Sequence, residues 1–469
     1  MRPKLFSGGK KASKKLVTTY DIIVIGSGSG MMCVENAMNA GMSVALVDRG
    51  PAGGTCLNVG CIPSKMLMAA ADRVMEIRDA AKYGISAEIT HIDFGRIMAD
   101  MKEAVVPDHQ NIHEGLKAEQ GMAYYEGTGR FVDDKTLAVD NRLISGKTIF
   151  IVSGARPAVP PIAGLEEIDY LTNETLLDLT ACPKSLAIIG GGYIAAEYGH
   201  FFSAMGAEVS IFQNKDRLVP SEEPEVSDLL ANALSRRADI HLNANVTRVY
   251  PSEKGVTVES IHNNTGRKIE KTVDRILIAA GRQSNADILE VDKTGIETDE
   301  RGYIKVDDYL QTSRKGIWAF GDANGKHMFT HVANAEAETA WANAVNGEKN
   351  PFDYSAAPRA VFTYPPVASV GMTEAAARKS HDVMVGLAPY NACAKGMALR
   401  ETEGFAKIIL NRKDATLLGF HIIGPHAPIL IQEVVNAMAL GGQPGMVISG
   451  MHIHPALSEL ILKTFSNLS

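Results

Sequence analysis

The sequence lacks the features that mark a membrane protein, a secreted disulfide scaffold or a nucleic-acid-binding protein. None of its apolar runs reaches the roughly 18 residues that a membrane span needs. It holds only five cysteines in 469 residues, and an odd, sparse count does not fit a secreted disulfide framework. Its formal net charge of −7 argues against nucleic acid as the main partner. We therefore expect a cytoplasmic protein in a reducing compartment.

The length and the distribution of charge predict several domains and a separate N-terminal tail. A chain of 469 residues exceeds what one hydrophobic core organises, so we expect two to four domains. We interpret residues 1–19 as a basic, disordered tail, and a mitochondrial presequence is the alternative, although presequences favour Arg over Lys. Residues 1–20 contain no acidic side chain, and their basic side chains are Arg2, Lys4, Lys10, Lys11, Lys14 and Lys15.

Cys56 and Cys61, which four residues separate, are the most informative residues of the chain. A cysteine pair inside a nucleotide-binding enzyme indicates redox chemistry more often than a structural staple. Zinc binding is the alternative, but a zinc site needs about four ligands, usually with closer cysteines and a second pair elsewhere. The sequence has neither the closer cysteine spacing nor a second cysteine pair. Pro63 fits the first turn of a helix, and the exposed N–H groups of that turn favour a nearby thiolate.

A dinucleotide-binding pattern precedes the cysteine pair. An apolar strand over residues 20–25 leads into a glycine-rich turn and a helix, and a second strand ends at Asp48. The turn contains Gly26, Gly28 and Gly30. Such glycines let the backbone approach a pyrophosphate at the helix N-terminus, and Asp48 can accept hydrogen bonds from ribose hydroxyls. Met31 occupies the third small position of the motif, so we expect this helix to lie slightly further from the strand.

A second pattern of the same kind begins about 160 residues later. A strand over residues 185–189 is followed by a turn and helix whose small positions are all filled, by Gly190, Gly192 and Ala195. Two such sites imply two cofactors. The residue that ends the next strand is Gln213, where an acidic side chain would bind an NAD ribose. Gln213 tolerates a 2′-phosphate, and Lys215 or Arg217 could bind one. The sequence therefore leans toward NADPH without excluding NAD.

In their order and spacing these motifs closely resemble those of the pyridine nucleotide–disulfide oxidoreductases. The resemblance covers nearly the whole chain beyond residue 19. It implies an α/β fold with two Rossmann-like dinucleotide-binding domains, for FAD and NAD(P), and an α+β C-terminal dimerisation domain. The implied FAD domain comprises residues 20–155 and 282–350, the NAD(P) domain residues 156–281, and the dimerisation domain residues 351–469. We expect antiparallel strands near residues 361–363, 405–410 and 418–423.

The resemblance also assigns catalytic roles. It makes Cys56 the interchange thiol that attacks the substrate, and Cys61 the thiolate that faces the flavin. Lys65 is placed at flavin N5 and paired with Glu197. The same family carries an acid–base His next to Pro, matched here by His454 with Glu459. In the family that His comes from the second subunit, which would make a homodimer obligatory for activity. His452, the second candidate for the acid–base residue, is assigned a packing or surface role.

The other implied contacts are to cofactors, and no metal site is implied. The FAD-binding residues implied are Gly26, Gly28, Gly30, Asp48, Gly54, Thr55, Lys65, Gly129, Ser153, Gly154, Asp322, Met328, Phe329, Thr330 and His331. The NAD(P)-binding residues implied are Gly190, Gly192, Tyr193, Ile194, Glu197, Gln213, Lys215, Gly281 and Arg282.

The substrate is the least determined part of the prediction. Residues 61–65 and 454–459 are most similar to dihydrolipoyl dehydrogenase, which gives the first hypothesis and a lipoyl domain as partner. Stretches such as residues 26–30 and 281–287 are more similar to mycothione reductase, which favours an NADPH-dependent reductase of a small thiol disulfide. A mercuric reductase is disfavoured because the expected C-terminal cysteine pair is missing. A non-catalytic flavoprotein is supported only by Met31 and Gln213.

Overall fold

The computed structural model describes residues 16–469, so most of the predicted basic tail lies outside the described residues. The strands are β1 (Val17–Ile25), β2 (Val44–Asp48), β3 (Ala123–Glu126), β4 (Gly129–Asp133), β5 (Thr136–Val139), β6 (Arg142–Ile151), β7 (Ala155–Pro157), β8 (Ser185–Ile189), β9 (Glu208–Phe212), β10 (Ala238–His241), β11 (Ala244–Ser252), β12 (Gly255–His262), β13 (Lys268–Val273), β14 (Arg275–Ile278), β15 (Arg282–Ser284), β16 (Ile317–Ala319), β17 (Pro358–Val361), β18 (Val367–Gly371), β19 (Val383–Pro389), β20 (Phe405–Asn411) and β21 (Leu417–Ile423). The helices are α1 (Met31–Asn39), α2 (Gly54–Asn58), α3 (Cys61–Arg78), α4 (Phe94–Ala118), α5 (Tyr193–Ala204), α6 (Pro224–Ser235), α7 (Thr330–Val345), α8 (Glu374–Ala377), α9 (Ala394–Ala398), α10 (Ala427–Ala439), α11 (Gly445–Ile448) and α12 (Glu459–Phe465).

The chain divides into two compact units. The first comprises residues 16–54, Gln110–Ala155 and Ser284–Phe352, and the second comprises Thr55–His109, Arg156–Gln283 and Asp353–Ser469. Residues 55–109, which were predicted in the FAD domain, thus group with the second unit. The predicted domain boundaries themselves stay a prediction, because this division does not separate an NAD(P) domain from a dimerisation domain.

The tail was predicted three residues too long. Strand β1 begins at Val17 rather than at Tyr20. Residues 17–19 pair with residues 143–145 of β6, so their backbone groups are part of the parallel ladder. The composition of the tail gave no sign of this, because strand pairing depends on a partner that lies more than 120 residues away.

The first unit is built on a mainly parallel sheet. Its strand order is β3-β2-β1-β6-β5-β4, with β16 added on β6. Residues 22–25 of β1 are fully or almost fully buried, as expected for a parallel strand that is covered on both faces. The strand therefore delivers its following glycine turn to the carboxyl edge of the sheet, where open α/β sheets bind ligands.

Three sheets lie wholly within the second unit. A four-stranded parallel sheet has the order β10-β9-β8-β14, and a three-stranded antiparallel sheet has the order β11-β12-β13. A five-stranded antiparallel sheet has the order β17-β18-β21-β20-β19, and it contains the predicted strands near residues 405–410 and 418–423. The strand predicted at residues 361–363 is wrong beyond Val361. The backbone N–H of Phe362 donates to the Glu197 carboxylate (3.0 Å) and so leaves the ladder.

A buried lysine connects the antiparallel sheet to the start of helix α6. Lys407 of β20 is only 2% exposed, and its ammonium lies 2.8 Å from Glu223, 3.1 Å from Glu225 and 2.7 Å from Glu374. Glu223 is itself 1% exposed. Charged groups at this depth are stable only when they are paired, so the buried Glu223 carboxylate depends on the lysine.

We expect the Lys407→Met variant to lose about 3 kcal/mol or more of its free energy of unfolding, because Glu223 would remain buried without its counterion. Denaturant unfolding followed by circular dichroism measures the change. The control is Lys271→Met, which removes a half-exposed lysine 2.8 Å from Asp239 and should cost less than about 1 kcal/mol. Equal losses in the two variants would contradict the structural role of Lys407.

Within residues 16–469, no helix is both long enough and apolar enough to cross a membrane.

Candidate active site

The two cysteines lie on either side of a tight junction between two helices. Cys56 is in the short helix α2 and is half-buried, and Cys61 is the first residue of α3 and is exposed. Gly60 joins them. A Cβ on Gly60 would lie 2.8 Å from the Thr55 carbonyl oxygen and 3.2 Å from the Cα of Cys56. Only glycine permits this approach, a requirement that the sequence analysis missed. Pro63 lies in the first turn of α3, as predicted.

Lys65 and Glu197 come together although 132 positions separate them in the chain. The Lys65 ammonium donates to both carboxylate oxygens, at 3.0 and 2.8 Å. The Glu197 side chain is 4% exposed and that of Lys65 is 33% exposed. Burial raises the pKa of Glu197, and the Lys65 ammonium opposes this rise. The ammonium also lies 4.7 Å from the centre of the Phe362 ring, a contact that sequence reasoning did not anticipate.

His454 and Glu459 also come together. The Nδ1 atom of His454 lies 3.0 Å from Glu459 Oε1, and Glu459 Oε2 accepts the N–H of Ala456 at 3.2 Å. The hydrogen bond from His454 is the largest of the causes that lower the pKa of Glu459. Because a carboxylate only accepts, Nδ1 carries a proton, and in the neutral ring Nε2 is then the acceptor. The His454 side chain is 70% exposed.

Pro455 and His452 lie next to His454 in the sequence but have other surroundings. Pro455 does not open a helix, because α12 begins only at Glu459, and residues 454–458 form a turn before it. His452 has a different partner from His454. Its side chain is 7% exposed and lies 2.8 Å from Glu433 of α10, in keeping with the packing role predicted for it.

The first glycine turn forms a cradle of bare backbone. Gly28 and Gly54 lie so close that a Cβ on Gly54 would come within 2.8 Å of the Gly28 Cα. The Asp48 carboxylate accepts the N–H of Ser27 at 2.5 Å and that of Gly50 at 2.6 Å. These hydrogen bonds hold the turn at the end of β2, next to the start of helix α1. Such a cradle fits a pyrophosphate group.

The chain tolerates Met31 at the third small position of the dinucleotide-binding motif because Gly30, the residue before it, makes the close contact with the strand. A Cβ on Gly30 would clash with the Gly26 carbonyl oxygen at 2.5 Å and with the Val24 side chain at 2.8 Å. The close approach of helix to strand thus occurs at Gly30, one residue earlier than the motif predicts. Met31 begins α1 half-buried, and its side chain packs on the apolar cluster that includes Val24.

Ser153 and Asp322 are two further predicted FAD-binding residues of the first unit, and the surroundings of each suit a polar ligand. The Ser153 hydroxyl, just after β6, is buried without a hydrogen-bond partner. Asp322 is half-buried in the loop after β16. That loop is held by Glu336, which is fully buried and accepts from the N–H of Gly321 (2.6 Å) and the side chain of Asn324 (2.9 Å). Sequence reasoning missed Glu336 because nothing local distinguishes it from a surface helix residue.

The other predicted FAD-binding residues lie at the ends of strands and helices or, for Thr55, within a short helix. Gly129 is the buried first residue of β4, and Gly154 follows β6 with a positive φ. Met328 and Phe329 directly precede α7, and Thr330 and His331 begin it. Thr55 is exposed in α2. These positions neither support nor oppose their assigned contacts.

The second glycine turn lies at the carboxyl end of β8. Gly190 has a φ of +125° and lies against the Ala279 backbone, so a side chain would be excluded there. A Cβ on Gly192 would meet nothing within 4 Å, which leaves open space beside the N-terminus of α5. Tyr193 and Ile194 form the first turn of α5, half-buried. Gly281 and Arg282 follow β14, and the Gly281 carbonyl accepts the N–H of Ala158 at 3.0 Å.

The candidate 2′-phosphate residues differ in their availability. Gln213 is 5% exposed and its amide donates to the Arg217 carbonyl at 3.0 Å. The Arg217 guanidinium already has two acidic neighbours, Asp216 at 3.0 Å and Asp228 at 3.3 Å. The Lys215 side chain is exposed next to them. Lys215 is therefore the better candidate for an added negative charge.

Two stretches of the chain match known protein families. Residues 20–337 match the pyridine nucleotide-disulphide oxidoreductase family, and residues 357–464 match its dimerisation domain. The chain belongs to the pyridine nucleotide-disulphide oxidoreductases. It is accordingly an FAD-dependent oxidoreductase that uses NAD(P)H and a redox-active disulfide, and the dimerisation domain supports a homodimer.

Its relatives have several different activities. The chain is 33% identical to mercuric reductase from Staphylococcus aureus, over 92% of its own length and 78% of the relative's. It is 32% identical to mycothione reductase from Mycobacterium tuberculosis (94% and 98%) and 33% identical to dihydrolipoyl dehydrogenase from Chlamydia trachomatis (94% and 95%). Among solved structures, the HOCl-induced flavoprotein disulfide reductase RclA from Escherichia coli, as its Cu(II) complex, is 30% identical with a TM-score of 0.84 over 96% and 99% of the two chains.

Proposed function

We propose that the protein catalyses dithiol–disulfide exchange through Cys56 and Cys61 and couples it to NAD(P)(H). The observation that carries the proposal is the placement of the two cysteines across the start of α3, with the Lys65–Glu197 pair one turn further on. In one direction, a substrate dithiol becomes a disulfide while the enzyme disulfide becomes two thiols. The enzyme thiols then reoxidise to the disulfide, NAD(P)+ gains a hydride, and one proton is released. Bound FAD supplies the two-electron transfer between the nicotinamide and the cysteine pair.

The protein groups have separate tasks in this scheme. Cys56 forms and breaks the bond to the substrate sulfur, and Cys61 closes the enzyme disulfide. The N–H groups at the start of α3 favour the thiolate form of a cysteine there. Nε2 of His454 accepts the proton of the attacking substrate thiol and returns it to the leaving thiolate, while Glu459 fixes the ring through Nδ1.

The FAD and nicotinamide groups would be held by the two glycine turns. For FAD, the Gly28–Gly54 cradle and the unpartnered Ser153 hydroxyl support the assignment. For the nicotinamide cofactor, the open space at Gly192 supports it. We further propose that the site is shared across the homodimer. Large apolar side chains are exposed in the C-terminal part of the chain, as expected for a surface that a second copy covers: Ile429, Leu440, Met446, Ile448, Met451 and Ile453.

Replacement of Lys215 tests the cofactor preference. We expect Lys215→Ala to raise the KM for NADPH about ten-fold, since a charged hydrogen bond to a phosphate contributes about 1.5 kcal/mol or more. The KM for NADH should stay within about two-fold. Arg217→Ala is the matched comparison and should have the smaller effect, because Asp216 and Asp228 already bind that guanidinium. Equal changes with both nucleotides would show that Lys215 does not bind the 2′-phosphate.

For the substrate, we propose a dihydrolipoyl group, with a lipoyl domain as partner and a cytoplasmic location. The residues from Cys61 to Lys65 and from His454 to Glu459 support this choice. The second candidate is an NADPH-dependent reductase of a small thiol disulfide, which Gln213 and the exposed Lys215 favour. Initial rates of NAD+ reduction by dihydrolipoamide, compared with NADPH oxidation by mycothione or glutathione disulfide, decide between them. A fast first reaction supports the dehydrogenase, and a fast second reaction with a negligible first one supports the reductase.

A further inference from the structure

Helices α3 and α5 share a second polar contact beyond the Lys65–Glu197 pair. Asp72 follows Lys65 by seven residues and His200 follows Glu197 by three, so each lies on the same helix face as its predecessor. The Nε2 atom of His200 lies 2.9 Å from Asp72 Oδ1. The His200 side chain is fully buried, whereas that of Asp72 is 40% exposed.

The hydrogen bonds of His200 determine its protonation state. Its Nδ1 atom lies 3.2 Å from an Arg237 guanidinium nitrogen. A guanidinium only donates, so Nδ1 accepts and Nε2–H donates to Asp72. Burial lowers the pKa of His200, and the Arg237 charge lowers it further against the opposing effect of Asp72. The ring is therefore neutral, and both of its nitrogens have a partner.

One segment of chain contacts both helix–helix pairs. The Phe362 N–H donates to Glu197, and two residues later the Tyr364 ring stacks on His200, with centroids 6.3 Å apart and an interplanar angle of 23°. The Tyr364 hydroxyl donates to Asp79 near the end of α3 at 3.0 Å. A change at His200 would thus reach Glu197 through this segment as well as through α5.

Apolar side chains fill much of the space between the two helices, and they do not fix the register of one helix against the other. They include Leu67, Met68, Ala71, Phe201 and Phe202, all of the same buried cluster. Apolar side chains tolerate sliding and repacking, whereas a buried hydrogen bond is satisfied in one arrangement only. Polar contacts also lie at the two ends of this stretch, where Lys65 pairs with Glu197 and the Arg78 guanidinium donates to the Ala204 carbonyl at 3.1 Å. Between them, the Asp72–His200 contact is the polar contact that can distinguish neighbouring registers.

We propose that Asp72 and His200 are positioning residues for the thiol chemistry, because they hold α3 in the register that sets Lys65 against Glu197 and fixes Cys61 at the first position of the helix. This inference rests on the proposed function of Cys56 and Cys61. Neither residue takes part in bond making. Their contribution is to keep the thiolate-favouring end of α3 fixed while the cysteines exchange partners.

Asp72 is the side chain to change, because it is 40% exposed and its truncation leaves no deep cavity. The measurement is the rate at which iodoacetamide alkylates the Cys56 and Cys61 thiols of the reduced, flavin-loaded protein near pH 7, read by mass spectrometry. In Asp72→Ala we expect this rate to fall at least about three-fold, because the thiolate fraction depends on the helix end and Lys65. Asp72→Asn keeps an acceptor for Nε2–H and should react at the wild-type rate.

The sign of the effect separates positioning from simple electrostatics. Loss of a nearby negative charge would by itself favour the thiolate and speed alkylation, in both variants. A slower Asp72→Ala with an unchanged Asp72→Asn supports the proposal. An unchanged or faster Asp72→Ala, or equal changes in both variants, overturns it. Arg73→Gln, which removes an exposed ion pair with Glu76 on the same helix, should leave the rate unchanged.

His200→Gln and His200→Leu give a second, independent comparison. Glutamine can still donate to Asp72, so it should retain most of the wild-type alkylation rate, whereas leucine should react like Asp72→Ala. Glutamine and leucine variants that react alike would overturn the proposal. Failure of the proposed function would look different. It would appear in the wild type, as a cysteine pair that neither NADH nor NADPH reduces, whatever the Asp72 variants show.

Discussion

Cys56→Ser is expected to lose disulfide turnover by at least about 1,000-fold, because a serine hydroxyl can neither form the bond to the substrate sulfur nor close a disulfide with Cys61. Cys61 would remain at the start of α3 but would have no partner for disulfide closure. Flavin content and bleaching of the flavin by NADPH should persist, since neither requires a second sulfur. Steady-state turnover and an anaerobic absorbance titration measure the two effects separately.

Cys182→Ser is the matched control for this variant. Cys182 is also half-buried, and burial raises its pKa to about 11, so it is a poor nucleophile at neutral pH. Its replacement should leave turnover within about two-fold of wild type. Persistent turnover in Cys56→Ser, or comparable losses in both variants, would show that the assigned thiol is wrong.

His454→Gln should lower dithiol turnover at least about 100-fold, the usual range for loss of a general acid–base. Glutamine can still interact with Glu459 but cannot accept and return a proton. Reduction of the flavin by NADPH involves no substrate thiol and should proceed at the wild-type rate. A split between these two rates is therefore the diagnostic result, and an unchanged overall rate would exclude His454 from proton transfer.

Mixing the two inactive variants tests whether the site is shared between subunits. In a heterodimer of Cys56→Ser with His454→Gln, a shared arrangement leaves one intact site, formed by the normal cysteine of one chain and the normal histidine of the other. Random reassociation should then restore about a quarter of wild-type turnover. No recovery, with heterodimers shown by mass spectrometry, would mean that each site is built from a single chain.

The sequence indicated the nucleotide-binding turns and the cysteine pair because their requirements are local. A strand, a glycine turn and a helix start occupy consecutive residues, and so do Cys56, Cys61 and Pro63. The pairing of Lys65 with Glu197 came from family position alone, since 132 residues separate them. The structure places the two together, but what they do in catalysis stays a prediction.

Other features were beyond sequence reasoning because they depend on distant partners. Gly60 is required by its contact with the Cys56 backbone, and Glu336 by the donors of the Asp322 loop. Val17 belongs to β1 because its backbone pairs with residue 143 of β6. Asp72 and His200 looked like ordinary helix residues, and only the packing of α3 on α5 brings them together. The substrate also lies beyond the sequence, since relatives of near-equal identity have different activities.

The most direct test of the account is a count of thiols in the flavin-loaded protein, made under denaturing conditions before and after anaerobic reduction by NADPH. The chain has five cysteines. A redox-active disulfide between Cys56 and Cys61 predicts three reactive thiols before reduction and five after it, with no gain in Cys56→Ser. Bleaching of the flavin without any new thiol would contradict the central claim that this cysteine pair carries the electrons.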